Sequence, residues 1–393
     1  MELKNKIETI LAAINYEIAE QIDGTYSIHS GKAGKTLFQF CYANYINSSQ
    51  LQELLHEEIQ VVAENSLSVI NPTFCTGRSG INWFFRYLVK KKAVDIEDCE
   101  FLCDNDEELS AIALNQITVG NYDFLHGATG IAYYLLSKDY IEEQFFAKFF
   151  DALEMLTTKS IFKESIPKFD FNTQQIIPNQ INLGLSHGIP SILKFCLECI
   201  KKQICIPQAT FIARSIMSYI IKHANNDFSK CYYPNQIIAN SDQSETYSRL
   251  AWCYGDLSIG YILLQAGIFF ADKKTIDAAN RILKHTITRK TIETTNIVDA
   301  GICHGSAGLA HIYNKLWQLT GDVIYREACD YWITATLQFQ QYNDTKSGYK
   351  MYVQQDGVYR PECGLLEGSA GIGLVLLSYL TNDSDWDYCL MLN

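Results

Sequence analysis

Strongly apolar runs recur along the chain, and each follows a glycine-containing turn. Residues 131–136 read IAYYLL, residues 259–264 read IGYILL and residues 372–377 read IGLVLL. Such runs leave no polar stripe, which predicts helices buried on most sides. Stretches of another kind lie between them. Residues 140–160, 271–290 and 322–341 mix charged with apolar residues at helical spacing, and predict amphipathic helices with one wet face.

The turns share one motif: Gly, two residues, then Gly or Ser. The copies are Gly31-Lys-Ala-Gly34, Gly77-Arg-Ser-Gly80, Gly127-Ala-Thr-Gly130, Gly188-Ile-Pro-Ser191, Gly255-Asp-Leu-Ser258, Gly305-Ser-Ala-Gly308 and Gly368-Ser-Ala-Gly371. Steps between first glycines are 46, 50, 61, 67, 50 and 63 residues, which suits two helices and their loops. One repeat is therefore an apolar inner helix paired with an amphipathic outer helix. The inner helices are too apolar for the wet concave face of an open solenoid. The expected fold is all-α: an α,α-toroid of seven inner and seven outer helices, formed by residues 1–393 as one domain. The glycines would permit positive φ or close backbone approach where each loop enters an inner helix. Extra residues in two long steps fall in 161–182 and 228–247. The first, IFKESIPKFDFNTQQIIPNQIN, alternates aromatic and β-branched residues and predicts a small extended excursion.

Composition narrows the class. The chain is 48% hydrophobic and 19% charged, a globular balance, and its net charge of -12 argues against a general nucleic-acid binder. Thirteen cysteines is an odd and scattered set. The opening MELKNKIETILAAI lacks the apolar run of a signal peptide, and no run of eighteen apolar residues occurs. The expected setting is a reducing cytoplasm, with no transmembrane segment and with thiols that are free or bound to metal.

Soft metal ligands occupy equivalent places in the motifs. Cys253 lies two residues before Gly255; Cys303 and His304 directly precede Gly305; His187 directly precedes Gly188. In a ring, equivalent loops converge on one end, so these distant residues can meet. Two cysteines and one histidine leave a fourth position open, as catalytic zinc requires. A buried cysteine alone is ordinary core, and only the shared register lifts Cys253, Cys303 and His304 above that. Cys196 and Cys199 form a C-x-x-C inside an apolar helix with no complementary pair. Cys99, Cys103 and Cys363 have no partner pattern. His126 precedes Gly127 but has no assigned role. Asp123 lies four residues before Gly127 and Arg249 four before Cys253; each has a bland reading, as a helix cap and a surface ion pair. Near a zinc site they could orient a histidine and stabilise developing negative charge.

Through Ser186-His187-Gly188, Trp252-Cys253-Tyr254-Gly255 and Cys303-His304-Gly305, the chain resembles the LanC family, the cyclases of lanthipeptide biosynthesis. All seven motifs share in the resemblance, which is to the stand-alone type. It implies an α,α-toroid with zinc near one end of the ring, held here by Cys253, Cys303 and His304. It implies an acid/base role for His187, and active-site roles for Asp123, Arg249 and Tyr254. The substrate would be a precursor peptide with dehydrated serines and threonines and a leader segment. Cysteine thiolates would add to its dehydroalanine or dehydrobutyrine residues, giving lanthionine or methyllanthionine rings. A dehydratase and an exporter would be partners in a biosynthetic complex, placing the protein at the membrane periphery. The sequence departs from the family pattern at Asp256-Leu257-Ser258 and at Ser191, which puts local loop geometry in question. Three other readings compete: a non-catalytic zinc and glutathione-binding relative, a carboxylate-based toroid glycosidase or epimerase using Asp123 and Glu367, and a prenyltransferase-like zinc toroid.

Overall fold

The computed structural model describes residues 2–21, 24–99, 105–163, 165–225, 230–240 and 247–393. Cys103 and parts of the 228–247 segment lie outside the described residues. The helices begin with α1 (Glu2–Ala19), α2 (Lys32–Ile46), α3 (Ser49–Ser66) and α4 (Arg78–Lys90). They continue with α5 (Asp106–Val119), α6 (Ala128–Leu136), α7 (Glu143–Lys159), α8 (Ile189–Lys201), α9 (Ile206–Lys222), α10 (Asp256–Phe269) and α11 (Lys273–Thr288). The last are α12 (Ile292–Thr295), α13 (Ser306–Thr320), α14 (Val323–Gln338) and α15 (Ser369–Thr381), before a 3-10 turn at Asp385–Leu390.

Inner and outer helices differ as their patterns require. All nine residues of α6 are buried, as are ten consecutive residues of α15, Ser369 to Ser378. Helix α11 instead buries Thr275, Ala278, Ala279, Ile282, Leu283 and Thr286, a single stripe at three- and four-residue spacing. The outer helices α11 and α14 start at polar caps: Asp272 accepts from Lys274 N and Thr275 N, and Asp322 accepts from Ile324 N. Each such cap is worth about 1 kcal/mol. The inner helices α2, α6, α8, α10, α13 and α15 start at motif glycines with no side-chain cap.

Close approach explains most of these glycines better than φ does. A Cβ on Gly130 would stand 2.0 Å from Phe124 O and 2.8 Å from Phe74 Cβ. Among the described first glycines of the motifs, only Gly255 has positive φ, at +100°, and its Cβ would also meet Arg249 O at 1.9 Å. A side chain there is excluded twice over.

The chain divides into two compact units. One comprises Met1–Asn71, Cys75–Tyr87 and Asn296–Asn393; the other comprises Pro72–Phe74 and Leu88–Thr295. In the first, α2 pairs with α3 and α13 with α14, and the inner helices α2, α15 and α13 pack in sequence. In the second, α5 pairs with α6, α8 with α9 and α10 with α11, and α6, α8 and α10 pack in sequence. The rings of Phe146, Phe149 and Phe150 all pack on Phe195, joining outer α7 to inner α8. Each buried phenyl contributes about 2 kcal/mol.

Three small antiparallel pairs complete the described structure. β1 (Lys168–Asp170) pairs with β2 (Gln175–Ile177), Phe169 opposite Ile176. β3 (Gln180–Asn182) pairs with β4 (Gln236–Ile238), Ile181 opposite Ile237. β1, β2 and β3 lie in the extended excursion expected at 161–182, whereas β4, in the second long segment, was not expected. The third pair, β5 (Met351–Val353) and β6 (Val358–Arg360), was not expected and takes up the extra length of the last step. Its signal is Asp356-Gly357, with Gly357 at φ +67°.

Candidate catalytic and metal-binding site

The loops entering the inner helices carry the candidate site residues. The turn before α6 places Asp123, 3% exposed, with both carboxylate oxygens engaged. Oδ1 accepts from the backbone N–H of His126 at 2.7 Å. Oδ2 accepts from His187 Nδ1 at 2.6 Å. A carboxylate can only accept, so His187 carries its proton on Nδ1, and Nε2 is the nitrogen Asp123 does not hold. Burial lowers the pKa of His187, but the hydrogen bond and charge of Asp123, with Cys253, outweigh it. The net shift is upward from the usual imidazole value.

The turn before α8 presents His187 and receives the turn before α10. Ser186 N and Oγ both donate to the carbonyl of Cys253, at 3.4 and 3.3 Å. Tyr254 hydroxyl accepts from Asn182 Nδ2 at 3.0 Å, and its ring centre is 6.2 Å from that of His187. Asn182 also accepts from Gly184 N at 2.8 Å, so one side chain sets both the loop and the tyrosine. Sequence reasoning missed Asn182; only its place in β3, beside the motif, could have suggested it.

Asp256, read from sequence as a departure in loop geometry, is the knot that holds this loop. It is fully buried and accepts from Tyr232 N, Tyr233 N and Arg289 Nη1 at 2.9, 3.0 and 3.1 Å. Arg289 also donates through Nη2 to Ser248 O, and through Nε to Thr294 O at 2.7 Å. Arg289 thereby ties the segment carrying Arg249, Cys253 and Tyr254 to the end of α11. Burial pushes the Asp256 carboxyl up to about 6 against the opposing pull of Arg289 and the two amides. The serines at the other departures are satisfied locally: Ser191 Oγ donates to Gly188 O and Ser258 Oγ to Gly255 O.

Among the described residues, Cys253, Cys303 and His304 form the group able to share a metal ion, their donor atoms all within 4.8 Å of one another. Two thiolates and an imidazole suit zinc in number and softness. Cys303 N and Ile302 N both donate to Leu366 O, at 2.9 and 3.0 Å. His304 Nε2 lies 3.5 Å from Glu367 Oε2. Cys196 and Cys199 are fully buried in α8, where burial pushes both thiols far above the ordinary range. Neither they, Cys99 nor Cys363 join a metal-ligand group among the described residues. No disulfide occurs among the described residues.

A cavity of about 200 Å³ opens beside the His187–Asp123 pair. His126, Phe169, Phe171 and Lys168 line it, along with Tyr122 and Tyr254. The His126 ring stacks on His187 with centres 5.9 Å apart and meets Phe171 edge-on at 6.0 Å. Burial, with His187 nearby, lowers the pKa of His126, and Asp123 opposes that shift.

A part-buried aspartate–imidazole pair, a cysteine-rich donor group and repeated inner helices headed by motif glycines define the class. The chain belongs to the lanthionine synthetase C-like family, whose model matches residues 92–391. Among its relatives is the nisin biosynthesis protein NisC of Lactococcus lactis subsp. lactis, 23% identical over 425 residues, spanning 99% of this chain and 95% of that protein. The solved structure of nisin cyclase matches with a TM-score of 0.74 at 21% identity, covering 100% of this chain and 98% of that one. The fold is therefore that of nisin cyclase, an α,α-toroid, as the repeat pattern led us to expect. No described helix is long and apolar enough to cross a membrane.

Proposed function

We propose that this chain is a zinc-dependent cyclase forming lanthionine and methyllanthionine rings in a dehydrated precursor peptide. The observation that carries the reading is the Cys253, Cys303 and His304 donor group, in a chain whose His187 is held by Asp123. Family membership and the likeness to the nisin protein support it. These three residues would hold zinc, which when bound supplies acidity to a substrate thiol, so that thiolate is populated at neutral pH.

The protein's own groups do the rest. The substrate is bound with its cysteine sulfur near the β-carbon of dehydroalanine or dehydrobutyrine, and orientation supplies much of the rate. A carbon–sulfur bond forms, the carbon–carbon double bond becomes single, and negative charge moves to the amide oxygen. Arg249 stabilises that charge. His187 returns a proton to the α-carbon, balancing the one lost by the thiol. Asp123 fixes the tautomer and stabilises the charged imidazole. Tyr254, held by Asn182, orients the substrate beside His187.

The chain acts as a single catalytic domain in the cytoplasm. A leader-bearing peptide is the partner, and a dehydratase and an exporter are its neighbours in a biosynthetic complex.

The test pairs metal content with thiol consumption. Purified wild type should carry about one zinc, and Cys303→Ala should lose it. Wild type given a dehydrated peptide should consume free thiol without change in peptide mass. Zinc without thiol consumption would instead mark a thiol-binding relative. A folded, metal-free wild type would end the zinc reading.

A further inference from the structure

The β1–β2 hairpin is an insertion between the repeats, yet it reaches the catalytic cavity. Lys168 and Phe169 on β1, and Phe171 in the turn, line the same cavity as His187 and Asp123. The hairpin is fastened in place. Lys168 Nζ donates to Gln236 Oε1 on β4 at 3.0 Å and to Gln180 Oε1 on β3 at 3.5 Å. Asp170 Oδ1 accepts from Asn172 N and Thr173 N, closing the turn that carries Phe171. Phe171 nevertheless remains 41% exposed, its ring edge-on to Phe169 at 5.5 Å and to His126 at 6.0 Å. An exposed phenyl alone means little. This one is fixed between an aromatic partner and a histidine stacked on His187, and it borders a half-open cavity. About 200 Å³ is room for roughly six or seven waters, which is one large side chain and not a second strand of peptide.

We propose that the hairpin is a specificity wall: Phe171, backed by Phe169, receives a bulky apolar side chain of the peptide next to the residue being cyclised. This rests on the cyclase reading above and names the kind of substrate the site favours. A side chain seated there is desolvated between aromatic rings. Its contacts are available only while the neighbouring dehydro residue lies beside His187. Small or polar neighbours leave the wall empty, and their cyclisation does not depend on it.

The experiment uses two dehydrated peptides that differ only in the neighbouring residue, phenylalanine or serine, and compares kcat/KM for full-length wild type and Phe171→Ala. Wild type should favour the phenylalanine peptide by about tenfold, and Phe171→Ala should bring the ratio of the two kcat/KM values close to one, chiefly by a loss on the phenylalanine peptide. Phe171→Trp should shrink the cavity and reverse the order. Equal losses on both peptides in Phe171→Ala, or no preference in wild type, would overturn the proposal. Binding of the same pair with the reactive cysteine changed to serine is read by fluorescence anisotropy. If wild type cyclised neither peptide, the cyclase reading would fail, while the binding preference would still decide whether the wall selects.

Discussion

Two histidine–aspartate pairs in this molecule share one chemistry and meet opposite fates. In the first, His187 Nδ1 meets Asp123 Oδ2 at 2.6 Å, and the imidazole is 27% exposed. In the second, His311 Nε2 meets Asp387 Oδ2 at 3.0 Å, and both side chains are 1% exposed. Asp123 raises His187 above the usual imidazole range. Burial lowers His311 below it, although Asp387 pulls the other way and Lys315 adds to the lowering. The second nitrogen shows why. His311 Nδ1 is buried with no hydrogen-bond partner, and the Trp386 ring covers the imidazole at 4.8 Å. A proton there would have no acceptor. The His187 ring instead borders a cavity, so a second proton can be carried and passed on. A carboxylate beside an imidazole makes a proton carrier only where the far nitrogen has somewhere to send the proton.

The sharpest way to break the comparison is to delete each imidazole's function in turn. His187→Ala should lower kcat for ring formation by roughly 10²- to 10⁴-fold, with zinc content unchanged. Asp123→Asn should fall between that variant and wild type, since it keeps an acceptor and loses the charge. Equal activity in wild type and His187→Ala, measured by thiol consumption, would remove His187 from catalysis. Asp387→Ala should do the opposite. It strands Lys315, whose Nζ lies 3.0 Å from the Asp387 carboxylate, together with His311. The cost should be about 3–5 kcal/mol in urea unfolding, with the rate per folded molecule unchanged. A normal midpoint in Asp387→Ala would show that the second pair holds nothing together.

Sequence reasoning separated these pairs unevenly. His187, Cys253, Cys303 and His304 could be picked out as candidates because each lies one or two residues before a motif glycine. Asp123, four residues before Gly127, had a bland reading by offset, and its place beside a histidine came from the resemblance. Asp256 stood out only as a departure that put loop geometry in question, because its partner Arg289 lies 33 residues away, at the end of an outer helix with no motif to mark it. The His311–Asp387 pair spans 76 residues between an inner helix and the final 3-10 turn, and nothing local announces it. Helix existence followed from periodicity almost everywhere. The β5–β6 hairpin was passed over although Asp356-Gly357 lay in plain view, because the repeat pattern had already accounted for the chain around it.

The pH dependence of stability gives the smallest and most discriminating contrast. Burial raises the pKa of Asp387, but His311 and Lys315 more than offset it and hold the carboxyl below the usual carboxylate value. The unfolded chain therefore takes up that proton first, and the contribution of Asp387 is lost as pH falls through its folded pKa. His311 points the same way: its folded pKa lies below its unfolded value near 6.5, so the unfolded chain binds the proton first as pH falls. Stability should therefore drop as pH is lowered from 7 to 5, at no more than about 1.4 kcal/mol per pH unit from this one histidine. His311→Gln removes that proton and should flatten the slope of urea stability against pH, whatever it costs at pH 7. His187, raised and not lowered, contributes the opposite sign in a neighbouring window: the folded state binds its proton more tightly, so its contribution is fully present below the unfolded value near 6.5 and is lost as pH rises from there through the folded pKa. His187→Gln should therefore make stability rise more steeply with pH above about 6.5, whereas His311→Gln makes the rise shallower below it. Slopes that moved in the same direction in both variants would mean that the two pairs do not differ in the way their surroundings imply.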